Sequence, residues 1–345
     1  MPATRRGIVV TFIGRRLIGA VLMLIVVSMV TFSIFFVVPL IAGGSAENLA
    51  ARYVGRTAGD EEITLAAERL GFNDPIPVQY GRWLKAIVAG ADYDYGPGVE
   101  HCPAPCLGYS FINRAPVWPD LLARLPVTGS LVIGAAVIWL LAGVSTGVLS
   151  ALRRGSVFDR AAMGVALGGI SLPIFFTGIL ALVIFSYQLN WTAPGGSYTP
   201  FLESPLWWGY NLILPWVTLA FLLAAAYARI TRAGMLETMG EDYIRTARAK
   251  GLAERTVITK HGLRAALTPI ITIFGLDVSL LLGGAVLTES VFSLPGLGKY
   301  AIDAIVTNDL PKVMGVTTLT AFFVVFATLI VDVLYAWVDP RVRLG

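Results

Sequence analysis

Charge is what this chain has least of. Asp, Glu, Lys and Arg make up 14% of its 345 residues, where an ordinary soluble domain carries roughly 25%. So little solvating charge excludes a disordered chain, a nucleic-acid reader built on basic stripes and an ordinary cytosolic enzyme of this size. The 26 Lys and Arg against 22 Asp and Glu leave a net charge of +4, too small to argue for a polyanionic partner. Histidine is also scarce. His101 and His261 fall in segments expected on opposite sides of a membrane, and no metal-ligand or nucleophile cluster surrounds them, which argues against a membrane enzyme. The phosphate-cradling pattern Gly-x-x-x-x-Gly-Lys-Ser/Thr is missing: Gly298-Lys299 is followed by Tyr300, and Ser293 stands where its first glycine belongs. The chain is therefore not expected to hydrolyse ATP. What it has instead is apolar sequence, 56% of the total.

A bilayer core about 30 Å thick is crossed by ~20 apolar helical residues. Six runs meet that length: Leu17–Ile41, Leu125–Leu152, Ala161–Tyr187, Trp208–Ala228, Leu267–Thr288 (interrupted by Asp277) and Val313–Val338 (interrupted by Asp332). The expected fold is an all-α integral membrane protein with six transmembrane helices. The first run is far longer than a signal-peptide core and is read as a span. Orientation follows from basic residues, which concentrate on the cytoplasmic side. With the N-terminus inside, 17 of the 26 lie in inner segments, among them Arg15, Arg16, Arg153, Arg154, Arg160 and the run from Arg229 to Arg264. Seven of the nine outer ones are diluted over one long loop. Both termini are expected in the cytoplasm.

That outer loop, 42–124, is too long for a mere connection. Glu61–Leu70 has helical periodicity stopped by Gly71, and Pro75–Val88 reads as a second amphipathic helix with Tyr80, Trp83, Leu84 and Ile87. Such helices suit a cap lying on the membrane, a docking face, or both. Cys102 and Cys106 both fall here. In an oxidising compartment the pair reads as a local disulfide, with free thiols as the alternative and a metal site disfavoured by the lack of ligands beyond His101.

The inner loop 229–268 is the most charged part of the chain. Glu241 and Asp242 open a helical stretch, Arg248 and Lys250 end it, and Gly251 follows, an order that suits the helix dipole and a glycine C-terminal cap. Ala247 and Gly251, four apart, make a small-residue face. A second helical stretch, Glu254–Leu267, precedes Pro269. A short helix held between two spans can receive a push from a soluble partner; a solvated basic loop obeying the orientation rule has the same composition.

The residues in this loop narrow the choice. Asp242-Tyr243-Ile244-Arg245-Thr246-Ala247-Arg248-Ala249-Lys250-Gly251-Leu252, followed by His261-Gly262-Leu263-Arg264-Ala265-Ala266-Leu267-Thr268-Pro269, closely resembles the coupling-helix signature of ABC-importer permeases. Within them the chain resembles the B-type permease subunit of the dipeptide/oligopeptide transport family. The resemblance covers nearly the whole chain, including Gln79-Tyr80, Gly169-Ile170-Ser171-Leu172-Pro173, Gly283-Gly284-Ala285-Val286-Leu287-Thr288-Glu289, Pro295-Gly296-Leu297-Gly298 and Asp332 through Arg341. Of the superfamily's general loop motif only Ala247, Gly251 and Leu263 carry over. The Pro-Gly-Asp that often follows the first span is absent, and the Cys-containing insert is unusual.

The resemblance implies a type I ABC importer permease in a bacterial cell membrane. Residues 1–41 would be the cytoplasmic N-terminus and first span, 42–124 the extracytoplasmic loop, and 125–345 the permease core with coupling loop 229–268. Its implied partners are a homologous second permease, nucleotide-binding ATPase subunits carrying ATP and Mg, an extracytoplasmic peptide-binding protein and membrane lipid. No cofactor is expected in this chain. Asp242, Tyr243, Thr246, Ala247, Arg248, Lys250, Gly251 and Leu252 are the expected ATPase-facing residues. Asp277, an ionisable group inside a span, and Ser279, Gly283 and Gly284 are candidates for the translocation pathway; a structural pair with the second permease is the alternative for Asp277. Asp332, seven residues before Asp339, reads as a capping or ion-pair residue. Short peptides are the implied substrate, with nickel chelates or glutathione as alternatives. A secondary transporter is a competing class, but inverted repeats are not evident.

Overall fold

The computed structural model describes residues 3–54, 59–94, 98–110 and 112–338, and the side chains among them apart from 3–13, 52, 54 and 331–338. Asp339 lies outside the described residues, as does the side chain of Asp332. In chain order the described elements begin with α1 (Ala3–Phe32), α2 (Val38–Ile41), α3 (Ala46–Val54), α4 (Asp60–Arg69) and α5 (Ile76–Ala89). Four short strands follow, β1 (Ala91–Asp94), β2 (Val99–Cys102), β3 (Tyr109–Ser110) and β4 (Ala115–Pro116). Then come α6 (Val117–Leu152), α7 (Val157–Ser171), α8 (Ile174–Ala181), α9 (Pro205–Met239) and α10 (Asp242–Ala249). The remainder is α11 (Glu254–Thr256), α12 (Leu263–Ala266), α13 (Thr268–Leu282), α14 (Val286–Val291), α15 (Leu297–Thr307) and α16 (Leu310–Val338).

Among the described residues, four helical stretches are long and apolar enough to cross a bilayer: Gly14–Ile41, Val117–Leu152, Pro205–Met239 and Leu310–Ile330. Two bent pairs bring the number to six if each pair makes one crossing. Three of the expected runs change shape. The third, taken as a single stretch, bends by 101° between α7 and α8. Pro173 has no N–H to continue the helix and forces the preceding residue out of helical geometry; Leu172 accordingly takes ψ 131°. The fifth is bent by 49° at its start and stops at Leu282 rather than Thr288, because Gly284 adopts φ +133° and turns the chain. The fourth does not end at Ala228. α9 is 35 residues long and ends at Met239, so what reads as the start of an inner loop is helix.

The chain divides into two compact units, Met1–Pro126 with Leu282–Val286 and Gly296–Gly345, and Val127–Leu281 with Leu287–Pro295. In the first, α3 and α4 pack on one another, and a core of Phe32, Phe36, Leu49, Ala50, Tyr53, Phe72 and Met314 joins them to the end of α1 and the start of α16. Phe32 stacks on Phe36 with centroids 4.5 Å apart and meets Tyr80 edge-on at 5.3 Å. The helices expected from Glu61 and from Pro75 are present as α4 and α5, the former closed by Gly71 at φ +69°. The short β-hairpins and α3 escape periodicity. Cys102 and Cys106 are buried and joined by a disulfide, with Ala86 and Tyr93 packed around them. Burial pushes the Tyr93 hydroxyl up to about 12.

The first unit is also pinned by polar contacts. Ser110 Oγ donates to Asp309 Oδ2 at 2.5 Å and Lys312 Nζ lies 3.0 Å from the same oxygen. Tyr300 Oη donates to Asp120 at 3.1 Å, while the Arg124 guanidinium lies 4.5 Å over the Tyr300 ring. In contrast, Leu17, Ile18, Val21, Leu22 and Val26 on α1 are exposed. An apolar face left bare by its own chain is what a lipid-contacting helix presents.

In the second unit α7 packs along α9. Trp139 is fully buried on α6, 6.3 Å from the Tyr227 ring and 5.9 Å from the Phe274 ring. Small residues let these helices approach closely, as is usual in lipid. A methyl group built on Gly134 would lie 2.1 Å from Trp216, whose indole N–H donates to the Ser130 carbonyl at 2.9 Å.

Candidate functional site: the inner-loop helix

The segment singled out by its charge pattern folds as α10, eight residues with a polar majority and a narrow apolar stripe. Ile244 and Ala247, three apart, lie on one face of a helix, and both are buried with Val257 against Met239. The other face is bare: Asp242, Tyr243, Arg245, Thr246, Arg248 and Lys250 are exposed. Burial and the nearby Glu241 carboxylate raise the Tyr243 hydroxyl, so it stays a neutral hydrogen-bonding group.

The C-terminal end of α10 is fixed locally. Gly251 takes φ +75°, the left-handed geometry that glycine adopts without a Cβ penalty. Its N–H donates to the Arg248 carbonyl at 2.9 Å and the Leu252 N–H reaches the Ala247 carbonyl at 3.4 Å, the paired closing bonds of a glycine-capped helix. Arg248 then forks onto Glu254, Nη2 to Oε1 at 2.7 Å and Nε to Oε2 at 3.0 Å, bracing α10 against the segment that follows. That hydrogen bond raises the Arg248 guanidinium further above its usual range. Residues Val257–Gly262 form a widened π-turn, and Gly262 sits so near Met239 that a Cβ there would come within 2.9 Å of its sulfur.

The eight expected partner-facing residues therefore divide. Asp242, Tyr243, Thr246, Lys250, Gly251 and Leu252 are exposed, and Arg248 is exposed but ion-paired with Glu254. Ala247 faces inward. It is 6% exposed, because it continues the stripe begun by Ile244, and so of the small-residue pair only Gly251 is presented to solvent.

The four pathway candidates also part company. Asp277 on α13 accepts a hydrogen bond from Tyr227 Oη of α9 at 2.8 Å, so its partner lies within its own unit. Ser279 is buried and its hydroxyl turns back onto the Gly275 carbonyl. Gly283 and Gly284 belong to the first unit and serve close packing. Thr320 donates to the Gly283 carbonyl at 3.2 Å, and a Cβ on Gly284 would fall 2.6 Å from the Gly298 Cα.

Two buried acids of the second unit were not singled out in the sequence. Glu289, fully buried on α14, accepts from Thr128 Oγ1 at 2.7 Å. Asp159, 3% exposed, receives both arms of Arg232, Nε to Oδ1 at 2.6 Å and Nη2 to Oδ2 at 2.8 Å. Asp159 did leave a signal. Ser156-Val157-Phe158-Asp159 has the spacing of a capping box, and Ser156 indeed caps α7 by accepting from the Asp159 N–H at 3.1 Å.

Comparison with known proteins gives a consistent result. Residues 143–344 match the family described as binding-protein-dependent transport system inner membrane component, and residues 9–132 match its N-terminal counterpart. A protein named as a peptide transport system permease in Brucella abortus (strain 2308) is 39% identical over 329 residues, 95% of this chain and 98% of that protein. The dipeptide transport system permease protein of Escherichia coli (strain K12) is 36% identical over 330 residues, 86% of this chain and 93% of its own. The di/tripeptide transport system permease protein of Pseudomonas aeruginosa (strain UCBPP-PA14) is 35% identical over 352 residues, 96% and 98% of the two chains.

Proposed function

The chain belongs to the family of binding-protein-dependent transport system inner membrane components, and from that premise we propose that it is one of two permeases in an ABC importer for short peptides. α10 is the part that meets the motor. The carrying observation is that this eight-residue helix is anchored on one face by Ile244 and Ala247 and left exposed on the other. A helix so held can sit in a groove of a nucleotide-binding subunit and pass on its movement. The exposed residues of that face are Asp242, Tyr243, Arg245, Thr246, Lys250 and Gly251, with Arg248 and Leu252 at its edge.

The rest of the reading follows from this placement. In this reading the chain crosses six times, with both termini and α10 on the cytoplasmic side and residues 42–124 outside, an orientation supported by the excess of Lys and Arg in the inner segments. ATP and Mg belong to the partner subunits, since this chain carries no phosphate-cradling loop, and the permease itself performs no covalent chemistry. An extracytoplasmic binding protein delivers substrate to the outer face. Closure of the ATPase subunits on nucleotide shifts α10 as a rigid lever and switches the cavity between inward and outward access. Peptide as the cargo is supported by the names of the Brucella, Escherichia and Pseudomonas relatives.

The test is co-purification. Expressed with a second permease, ATPase subunits and a peptide-binding protein from the same organism, the chain should carry an ATPase whose activity rises with peptide-loaded binding protein. Uptake that follows an ion gradient and ignores ATP would overturn the reading.

A further inference from the structure

Asp159 lies at the third position of α7, and Arg232 lies two helical turns before the end of α9. Their contact is a two-pronged fork at 2.6 and 2.8 Å, with side-chain exposures of 5% and 25%. Bidentate charge-assisted bonds of this length fix orientation as well as distance. The carboxylate is further held by the Gly155 N–H, which donates to Oδ2 at 2.9 Å, so the turn before α7 is drawn into the same contact. α6 presses on this point too. A Cβ on Gly147 would lie 2.5 Å from the Ala228 carbonyl and 3.0 Å from the Arg232 nitrogen. Thus the end of α6, the turn at 153–156 and the start of α7 all seat on one short stretch of α9.

The far end of that stretch is equally fixed. Met239 closes the small core formed with Ile244, Ala247 and Val257, and Gly262 abuts Met239. Packed contacts therefore run without a gap from α10 through the end of α9 to Arg232, and the fork carries them to Asp159. A packed interface has discrete arrangements rather than a continuous range, so a tie at this point decides whether α7 follows α9 or slides past it.

We propose that Asp159 and Arg232 are a positioning pair that makes α7 and the turn before it move as one body with α9 and the α10 segment, so that a stroke received at α10 reaches α7. The proposal rests on the functional reading above, in which α10 receives that stroke. Neither residue is catalytic; the pair acts through the helices it ties.

The experiment uses the whole importer in lipid, with spin labels on Arg160→Cys and Lys260→Cys, both exposed positions, while Cys102 and Cys106 remain joined. Distances are measured without nucleotide and after trapping with ATP and vanadate. With the native pair the label distance should stay constant to within about 2 Å, one label's positional spread when no rearrangement occurs. With Asp159→Asn it should broaden or shift on trapping, and labelled dipeptide taken up per ATP hydrolysed should fall at least ~5-fold, a coupling of about 1 kcal/mol. A merely structural role would lower uptake and hydrolysis together and leave their ratio unchanged, which overturns the proposal. A distance change on trapping with the native pair intact also overturns it. If Asp159→Asn does not assemble, Arg232→Lys keeps the charge, loses the fork and is read in the same way. Absence of any ATPase on the wild-type complex would defeat the functional reading instead, and is seen before any variant is made.

Discussion

Tyr227 of α9 donates its hydroxyl proton to Asp277 of α13 across 2.8 Å, linking two apolar helices through the acid that interrupts the fifth hydrophobic run. An ionisable side chain in a membrane helix is expensive and persists where it is paired or wet. Here it has a partner within the chain.

Removing the donor alone should therefore hurt more than removing both groups. Tyr227→Phe leaves the acid without that bond, at a cost of about 1–3 kcal/mol. Tyr227→Phe combined with Asp277→Leu should recover part of the loss, and Asp277→Asn, which retains an acceptor oxygen, should be mild. Thermal unfolding of the detergent-solubilised protein across this cycle gives the coupling; additive losses would separate the two residues.

Gly251 makes a graded prediction. A side chain in left-handed geometry costs roughly 1–2 kcal/mol, and asparagine tolerates it best. The expected order of damage is Asn, then Ala, then Trp, with Gly251→Trp abolishing peptide uptake and the stimulation of ATPase activity while membrane insertion is kept. A transport-competent Gly251→Trp would remove α10 from the partner interface.

The Cys102–Cys106 bridge closes a very short loop, for which chain-entropy arguments give only about 2 kcal/mol. Replacing both cysteines by alanine should lower the unfolding temperature modestly and leave uptake within about two-fold of wild type, an effect within the reach of that energy. Loss of all uptake in a properly inserted double variant would assign the bridge a direct part in receiving the binding protein.

Close packing can be tested at Gly134. Its missing Cβ would overlap the Trp216 ring, and over-packing a tight core costs typically 1–3 kcal/mol. Gly134→Ala should destabilise the protein, whereas Gly209→Ala, with open space around it, should not. Equal melting temperatures for the two would show that α6 and α9 can separate freely.

How much of this was legible in the sequence depended on the range of the forces involved. Runs of apolar residues located the long apolar helices, because suitability for lipid is a local property of composition. Gly71 and Gly251 marked helix ends correctly, because the left-handed turn is a single-residue event. The bend at Leu172-Pro173 was readable too, since proline's effect is covalent, yet an unbroken absence of charge across it outweighed the signal. The extension of α9 to Met239 was hidden by Arg229 and Arg232, which read as loop. Arg232 is instead neutralised by Asp159, more than seventy positions earlier in the chain. The inward turn of Ala247 likewise depends on Val257 and Met239. Such pairings are set by tertiary contact, and no local pattern announces them.

The length of α9 has a mechanical consequence. From Trp216, just past the proline within the helix, to Met239 the rod extends about 36 Å at 1.5 Å per residue. A tilt of only about 5° carries its tip through roughly 3 Å over that reach. A small rotation at the Met239 end would thus become, at Trp216, a displacement about as wide as a water molecule.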